Sequence, residues 1–83
     1  MQHLEDIKNI LGDVLALGDR KNGLTAESGL LGSIPEFDSM AVINVLTALE
    51  DHFGITVDDD EISADTFETV GSVVRFVEDK LAA

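Results

Sequence analysis

E-F-D-S-M-A-V-I-N-V-L-T-A-L-E-D-H-F, residues 36–53, carries the strongest structural signal in the chain. After Asp38 and Ser39, apolar residues recur every three or four positions as far as Phe53, and Gly54 follows. Such spacing places side chains on one face of a helix, Asp and Ser commonly cap a helix start, and glycine commonly ends one. The stretch therefore predicts a helix from Asp38 or Ser39 to Phe53. Its expected inward face consists of Val42, Val45, Leu46, Leu49 and Phe53.

Two further helices are predicted, one on each side of this stretch. The first should run from about His3 to Leu17, with Gly18 as its stop. Thr69 can cap the last helix, which continues to the end of the chain. Both have apolar residues at helical spacing: Leu4, Ile7, Ile10, Leu11, Val14 and Leu15 in the first, and Val70, Val73, Val74, Val77 and Leu81 in the last.

The segments between these helices have weaker signals. Residues 18–38 form a long loop punctuated by glycines, with a short turn expected near residues 27–31. Four apolar side chains should pin this loop across the helices: Leu24, Leu30, Leu31 and Ile34. A short extra helix is expected between Asp59 and Phe67. The predicted fold is an all-α, small helical bundle of three main helices plus one short helix.

Length and composition limit the class of protein. Eighty-three residues suit one domain spanning residues 1–83, which would bury only about 60 to 65% of its unfolded surface. The absence of cysteine excludes disulfides and thiolate metal sites. The first residues lack the pattern of a signal peptide, and no apolar run approaches membrane-spanning length. We therefore expect a cytoplasmic monomer that is not inserted in a membrane.

A net charge of −12 dominates the electrostatics. It repels nucleic acid and attracts proteins with basic patches. Residues 36–68 contain no lysine or arginine but ten carboxylates: Glu36, Asp38, Glu50, Asp51, Asp58, Asp59, Asp60, Glu61, Asp65 and Glu68. The run at residues 58–61 lacks the spacing of an EF-hand loop, so no metal site is predicted.

Ser39 is the candidate functional residue. At a helix start, free backbone N–H groups and the helix dipole favour a phosphate attached to its hydroxyl. On local sequence alone, an ordinary cap formed by Ser39 or Asp38 is the commoner role for such a residue. A catalytic nucleophile would need a nearby base, and His52 lies thirteen residues along the same helix, about 20 Å away at 1.5 Å per residue. The serine is therefore interpreted as an acceptor, and the protein as not an enzyme.

The triplet Asp38, Ser39, Met40, together with the sequence A-L-E-D-H-F-G-I that follows, resembles the acyl carrier protein family over roughly residues 4–81. In that family the serine of an aspartate-serine-leucine motif receives a 4'-phosphopantetheine arm from coenzyme A. Acyl groups travel on the thiol of the arm as thioesters. The resemblance implies that Ser39 is the attachment site, and that Asp38 contributes to recognition by a phosphopantetheinyl transferase.

The resemblance also implies a docking surface for acyl-processing enzymes. The family uses an apolar row on the second helix, which corresponds to Met40, Ile43 and Thr47; the alternative is that Ile43 lies at the edge of the core. Five carboxylates are candidates for salt contacts to basic patches on partners, against the alternative of simple solvation: Glu50, Asp51, Asp58, Asp60 and Glu61. A cavity lined by Val42, Leu46 and Ile62 would shelter an aliphatic chain.

Several positions depart from the family pattern. Met40 replaces the usual leucine, and Phe37 stands where small residues are common and so is expected to alter the surface that a transferase meets. These differences leave the pathway open among fatty-acid, polyketide and specialised biosynthesis, and an aminoacyl or peptidyl carrier is a further alternative. The competing class is an acidic helical interaction module with no prosthetic group, which should tolerate loss of the Ser39 hydroxyl.

Overall fold

Three α-helices surround one apolar core in the computed structural model, which describes residues 3–30, 34 and 37–82. The helices are α1 (Leu4–Val14), α2 (Ser39–Phe53) and α3 (Val70–Ala82). Three short 3₁₀ helices join them: η1 (Gly18–Gly23), η2 (Asp59–Glu61) and η3 (Ala64–Phe67). The described residues contain no strand, and their one β-bridge joins Gly29 to Thr69. The predicted all-α fold with three main helices is confirmed.

The core takes side chains from every helix and from the loops between them. Helix α1 packs against both α2 and α3, while η3 packs against α3. The largest fully buried side chains are Phe67, Ile7, Leu11, Leu30, Leu49, Val45, Val70, Val73, Val74 and Val77. Valine is a weak helix former, so α3 depends on this burial for its stability. Within the described residues, no helix is both long enough and apolar enough to cross a membrane.

The inward face of α2 agrees with the predicted register, with one addition. Val45 and Leu49 are buried, while Val42, Leu46 and Phe53 are half-buried and pack against the core. Ala41 is also buried. Alanine contributes little to a hydrophobic pattern, so the sequence alone did not single it out.

The predicted end of α1 is wrong by three residues. The helix ends at Val14 rather than Leu17, because Ala16 adopts a left-handed backbone conformation with φ of 54°. The N–H of Leu17 then donates to the carbonyl of Gly12 at 2.9 Å, the bond that closes a Schellman motif. Glycine usually fills this position, so the sequence pointed to Gly18 instead of Ala16.

The two connecting segments contain more 3₁₀ structure than the sequence predicted. Residues 18–23, expected to be loop, form η1, and the single short helix expected between Asp59 and Phe67 is divided into η2 and η3. A turn occurs at residues 26–27, at the beginning of the expected range of 27–31 and overlapping it at residue 27 only. Leu30 is buried and Leu24 and Ile34 pack against the core, as expected of residues that pin the loop. Leu31 lies outside the described residues.

The first loop is tied to the beginning of α3 by backbone hydrogen bonds. Val70 donates to the carbonyl of Ser28 at 2.9 Å, and Gly71 donates to that of Ala26 at 2.8 Å. These bonds satisfy N–H groups that a helix start otherwise leaves unpaired. The predicted cap is confirmed: the Thr69 hydroxyl accepts from the Ser72 N–H at 3.1 Å, and the Ser72 hydroxyl accepts from the Thr69 N–H at 3.0 Å.

We predict that Gly71→Ala destabilises the fold, although alanine normally favours a helix. A Cβ at this position would lie 2.7 Å from the backbone oxygen of Ala26, so the loop or helix must shift. The free energy of unfolding should fall by about 1–3 kcal/mol, which lowers the Tm by at least about 4 °C in a domain of this size.

The matched control is Gly23→Ala, where a Cβ meets nothing within 4 Å and φ is not positive. Thermal and urea unfolding of both variants should leave the control unchanged or stabilised by up to about 1 kcal/mol. Equal stabilisation of both variants would contradict the close contact between Gly71 and the loop.

Candidate functional site

Ser39 is the first residue of α2, and Asp38 is its cap. The Asp38 carboxylate accepts a hydrogen bond from the Ala41 N–H at 2.9 Å. The backbone carbonyl of Asp38 accepts the first intrahelical hydrogen bond, from the Val42 N–H at 3.0 Å. The sequence left open which of the two residues forms the cap. Because Asp38 does so, the exposed Ser39 has a hydroxyl that helix capping does not require.

The start of α2 suits a phosphate ester. Its first turn contains no acidic residue, and the helix is fifteen residues long. The first N–H groups of a helix lack intrahelical acceptors, and the helix dipole places positive charge there. Only one of these donors, the Ala41 N–H, is taken by the Asp38 side chain. A negative group on the Ser39 hydroxyl would therefore be stabilised by remaining backbone donors.

Both histidines lie near the opposite end of α2 from Ser39. The His3 and His52 rings each meet the Phe53 ring edge-on, with centroid separations of 5.3 Å and 4.7 Å. The Nε2 atom of His52 is 3.9 Å from a carboxylate oxygen of Asp6. Since about 20 Å of helix separates His52 from the serine, neither histidine can act as its base. This geometry supports an acceptor serine and disfavours a nucleophile.

Phe37 anchors the residues before the cap to the core. Its side chain is only 5% exposed, and its ring lies 5.6 Å from that of Phe67 in η3. The expectation that Phe37 alters the surface met by a transferase is therefore wrong, because the ring points inward. The burial fixes the chain immediately before Asp38. Glu36, counted among the acidic residues above, lies outside the described residues.

The row predicted on α2 faces solvent. Met40 is 64% exposed and Ile43 is 56% exposed, so Ile43 does not lie at the edge of the core. Thr47 is also exposed, and its hydroxyl donates to the carbonyl of Ile43 at 3.0 Å. Two large apolar side chains thus stand in water within one turn of Ser39. Their role in partner recognition remains a prediction.

The five candidate carboxylates fall into two groups. Asp51, Asp58 and Asp60 are exposed. Glu50 accepts a hydrogen bond from the Val57 N–H at 2.9 Å and so holds the segment that follows α2. The Glu61 carboxylate accepts hydrogen bonds from Lys80 Nζ and from the backbone N–H of Asp58. Two residues expected to serve partners therefore also hold the fold.

Glu61 connects η2 to α3. Lys80 Nζ lies 2.8 Å and 3.0 Å from its two carboxylate oxygens, and the Asp58 N–H donates to one of them at 2.8 Å. The hydrogen bond from Lys80, followed by that from Asp58, lowers the pKa of Glu61 below its usual value of 4.5. The pair is separated by nineteen residues, so no sequence spacing could have revealed it.

The residues proposed to shelter an aliphatic chain are partly buried. Val42, Leu46 and Ile62 all pack against the edge of the core. A separate surface pocket of about 220 Å³ lies between η3 and α3. It is lined by Ser63, Asp65, Thr66, Ser72, Arg75, Phe76 and Asp79. This pocket includes neither Ser39 nor any residue of the predicted docking surface.

Comparison with known proteins gives consistent similarities. Residues 5–77 match the family model described as phosphopantetheine attachment site. Acyl carrier proteins of Exiguobacterium sp. (strain ATCC BAA-1283 / AT1b) and Thermosynechococcus vestitus are 34% and 31% identical over 80 residues. Each alignment covers 96% of this chain, and 95% and 93% of the respective relative. The solution NMR structure of a holo acyl carrier protein from Nitrosomonas europaea is 69% identical, with a TM-score of 0.93 and full coverage of both chains.

The Glu61–Lys80 pair predicts a pH-dependent contribution to stability. Because the pKa of Glu61 is lower in the folded chain than in the unfolded one, the contribution is complete above about pH 4.5 and is lost as the pH falls through the folded value. Lys80→Met should therefore lower the Tm by a few degrees at most at pH 7, and the part of this loss that is due to the ion pair should disappear as the pH falls below the folded pKa of Glu61.

Arg75→Met is the matched control, since it removes the same charge from an exposed position on the same helix. Its difference from wild type isolates the effect of net charge at each pH. Thermal melts that give the two variants identical profiles from pH 7 to pH 3 would contradict a specific role for the ion pair.

Proposed function

Since this chain belongs to the acyl carrier protein family, we propose that it carries acyl groups on a 4'-phosphopantetheine arm attached to the Ser39 hydroxyl. Members of the family are carriers and not enzymes, and they interact with a phosphopantetheinyl transferase and with acyl-processing enzymes. Residues 1–83 act as one carrier domain, monomeric and cytoplasmic in this proposal.

One observation carries the assignment of Ser39. The serine is exposed at the first position of α2, while the neighbouring Asp38 provides the cap. Attachment at Ser39 therefore removes no hydrogen bond on which the helix start depends. It also adds negative charge where backbone N–H groups favour it.

The arm supplies a thiol on which an acyl group is held as a thioester. The residues around Ser39 hold the attachment point in place and do not take part in the thioester chemistry. The buried Phe37 fixes the backbone before the attachment point, and the hydrogen bond from the Ala41 N–H to the Asp38 carboxylate spans it. With no histidine near the serine, its hydroxyl proton must be removed by the transferase during attachment.

The proposed docking surface consists of Asp38, Met40, Ile43 and Thr47, with Asp51, Asp58 and Asp60 as exposed charges around it and Glu50 and Glu61 as secondary contributors. Met40 and Ile43 offer apolar area that a partner would remove from water. The net charge of −12 attracts partners with basic patches and speeds their encounter with the carrier. In this proposal, apolar contact at Met40 and Ile43 and charge attraction by the carboxylates act on the same partner.

We favour a biosynthetic acyl cargo, of the fatty-acid or polyketide type, over an aminoacyl one. The half-buried Val42, Leu46 and Ile62 offer an apolar edge against which an aliphatic chain could pack. Such packing would remove apolar surface of the cargo from water at about 25 cal/mol per Å².

The test is the intact mass of the chain after incubation with coenzyme A and a broad-specificity phosphopantetheinyl transferase. The wild type should gain the mass of one arm, and Ser39→Ala should gain none. Ser63→Ala, which removes another exposed serine hydroxyl, is the matched control and should gain one arm.

Circular dichroism should establish that all three chains are folded, and a known carrier should establish that the transferase is active. An arm on Ser39→Ala would place the attachment elsewhere. A folded wild type that gains no mass beside an active control would favour an acidic interaction module without a prosthetic group.

A further inference from the structure

Met40 presents an exposed thioether directly beside the proposed attachment serine. Its side chain is 64% exposed, the largest exposure among the large apolar side chains of the described residues. The sequence has no cysteine and one other methionine, Met1, which lies outside the described residues. Before the arm is attached, the only sulfur atoms of the chain are therefore these two thioethers.

The position of Met40 makes its polarity important. Met40 and Ile43 are three residues apart on α2 and supply the large apolar groups of the proposed docking surface. Residues three apart on a helix are neighbours, so a partner that covers one also meets the other. Of the two side chains, only Met40 can be changed from apolar to polar by mild oxidation.

From this placement we propose that Met40 is a reversible oxidation site, at which a peroxide converts the thioether to a sulfoxide and weakens docking of the carrier to its transferase. The inference rests on the proposed function, since it requires that Met40 lie in the contact. The relevant co-reactant class is hydroperoxides, with hydrogen peroxide as the simplest member.

The chemical step balances without a metal or cofactor. A lone pair of the Met40 sulfur attacks one peroxide oxygen, the O–O bond breaks and an S–O bond forms. The sulfur loses two electrons, and the proton of the S–OH group first formed passes to the departing hydroxide, which leaves as water. Methionine sulfoxide reductases, one for each sulfoxide epimer, return the thioether: a pair of thiols supplies two electrons and two protons, becomes a disulfide, and the oxygen leaves as water.

The oxidation should affect docking and leave the fold intact. Met40 lies outside the buried core, and the cap at α2 uses the Asp38 side chain and the Ala41 N–H. A sulfoxide oxygen in water is well solvated at this position. When a partner covers it, that polar group must lose water, which an apolar partner pocket does not compensate.

The experiment measures arm transfer to the apo chain before and after oxidation. Wild type and Met40→Leu are treated with hydrogen peroxide, the peroxide is removed with catalase, and peptide mass locates the added oxygen. Coenzyme A and a phosphopantetheinyl transferase are then added, and initial rates are measured at carrier concentrations from well below to well above KM, so that kcat and KM are obtained separately. Each chain is compared with its own untreated sample.

In the wild type, the sulfoxide should lower kcat/KM by about three- to tenfold, mainly through KM, since part of a buried thioether contact is lost. Met40→Leu should keep its own rate after treatment, although Met1 is still available for oxidation. The two reductases should restore the wild-type rate, and the thermal melt of the oxidised chain should be unchanged.

Three results would overturn the proposal: an unaltered rate with Met40 fully oxidised, an equal loss in Met40→Leu, or oxidation of Met1 while Met40 stays reduced. Untreated wild type that receives no arm, beside an active control carrier, would instead overturn the proposed function and this inference with it. If the untreated wild type receives its arm and the rate is the same after Met40 is oxidised, this inference alone is overturned.

Discussion

The hydrogen bond from the Ala41 N–H to the Asp38 carboxylate is the contact on which the functional end of the molecule depends. It fixes Ser39 as the first residue of α2. Along this helix, Ala41, Val45 and Leu49 face the core, while Met40, Ile43 and Thr47 face water. Successive residues of a helix differ by about 100° around its axis, so Ser39 and Met40 can be exposed while Ala41 is buried. The cap fixes where the helix begins, and the apolar core fixes which face it buries.

Contacts with other parts of the chain hold the beginning of α2 in place. The Phe37 ring is fixed against Phe67 in η3, and η3 packs against α3. The beginning of α3 is in turn tied to the first loop through Ser28 and Ala26. A domain of 83 residues has a small core, so these few contacts between segments distant in sequence matter more to its stability than they would in a larger protein. The high negative charge is accommodated by keeping most carboxylates in water and pairing Glu61 with Lys80.

The sequence predicted the elements whose signals are local and strong. The bounds of α2 and the register of α3 follow from apolar spacing, the Gly54 stop and the Thr69 cap. It missed the end of α1 because an alanine, rather than a glycine, adopts the left-handed conformation. It also missed η1, for which residues 18–23 have no periodic pattern. Weak 3₁₀ turns depend on the contacts around them, which a single sequence does not display.

The sequence predicted some features of the candidate site and missed others. Local sequence alone could not distinguish a capping serine from a modified one, and the resemblance to a known family decided in favour of modification. The exposure of Met40 and Ile43 required the three-dimensional register of a broad apolar stripe. The burial of Phe37 and the pairing of Glu61 with Lys80 required long-range contacts. Spacing along the chain could show neither.

The most direct test of the central claim, that the beginning of α2 is the functional surface, is an NMR titration of the ¹⁵N-labelled apo chain with an unlabelled phosphopantetheinyl transferase. Backbone signals of Asp38 to Thr47 should shift or broaden first and most. Changes confined to the pocket between η3 and α3, at Asp65, Arg75 and Asp79, with α2 unaffected, would contradict the claim.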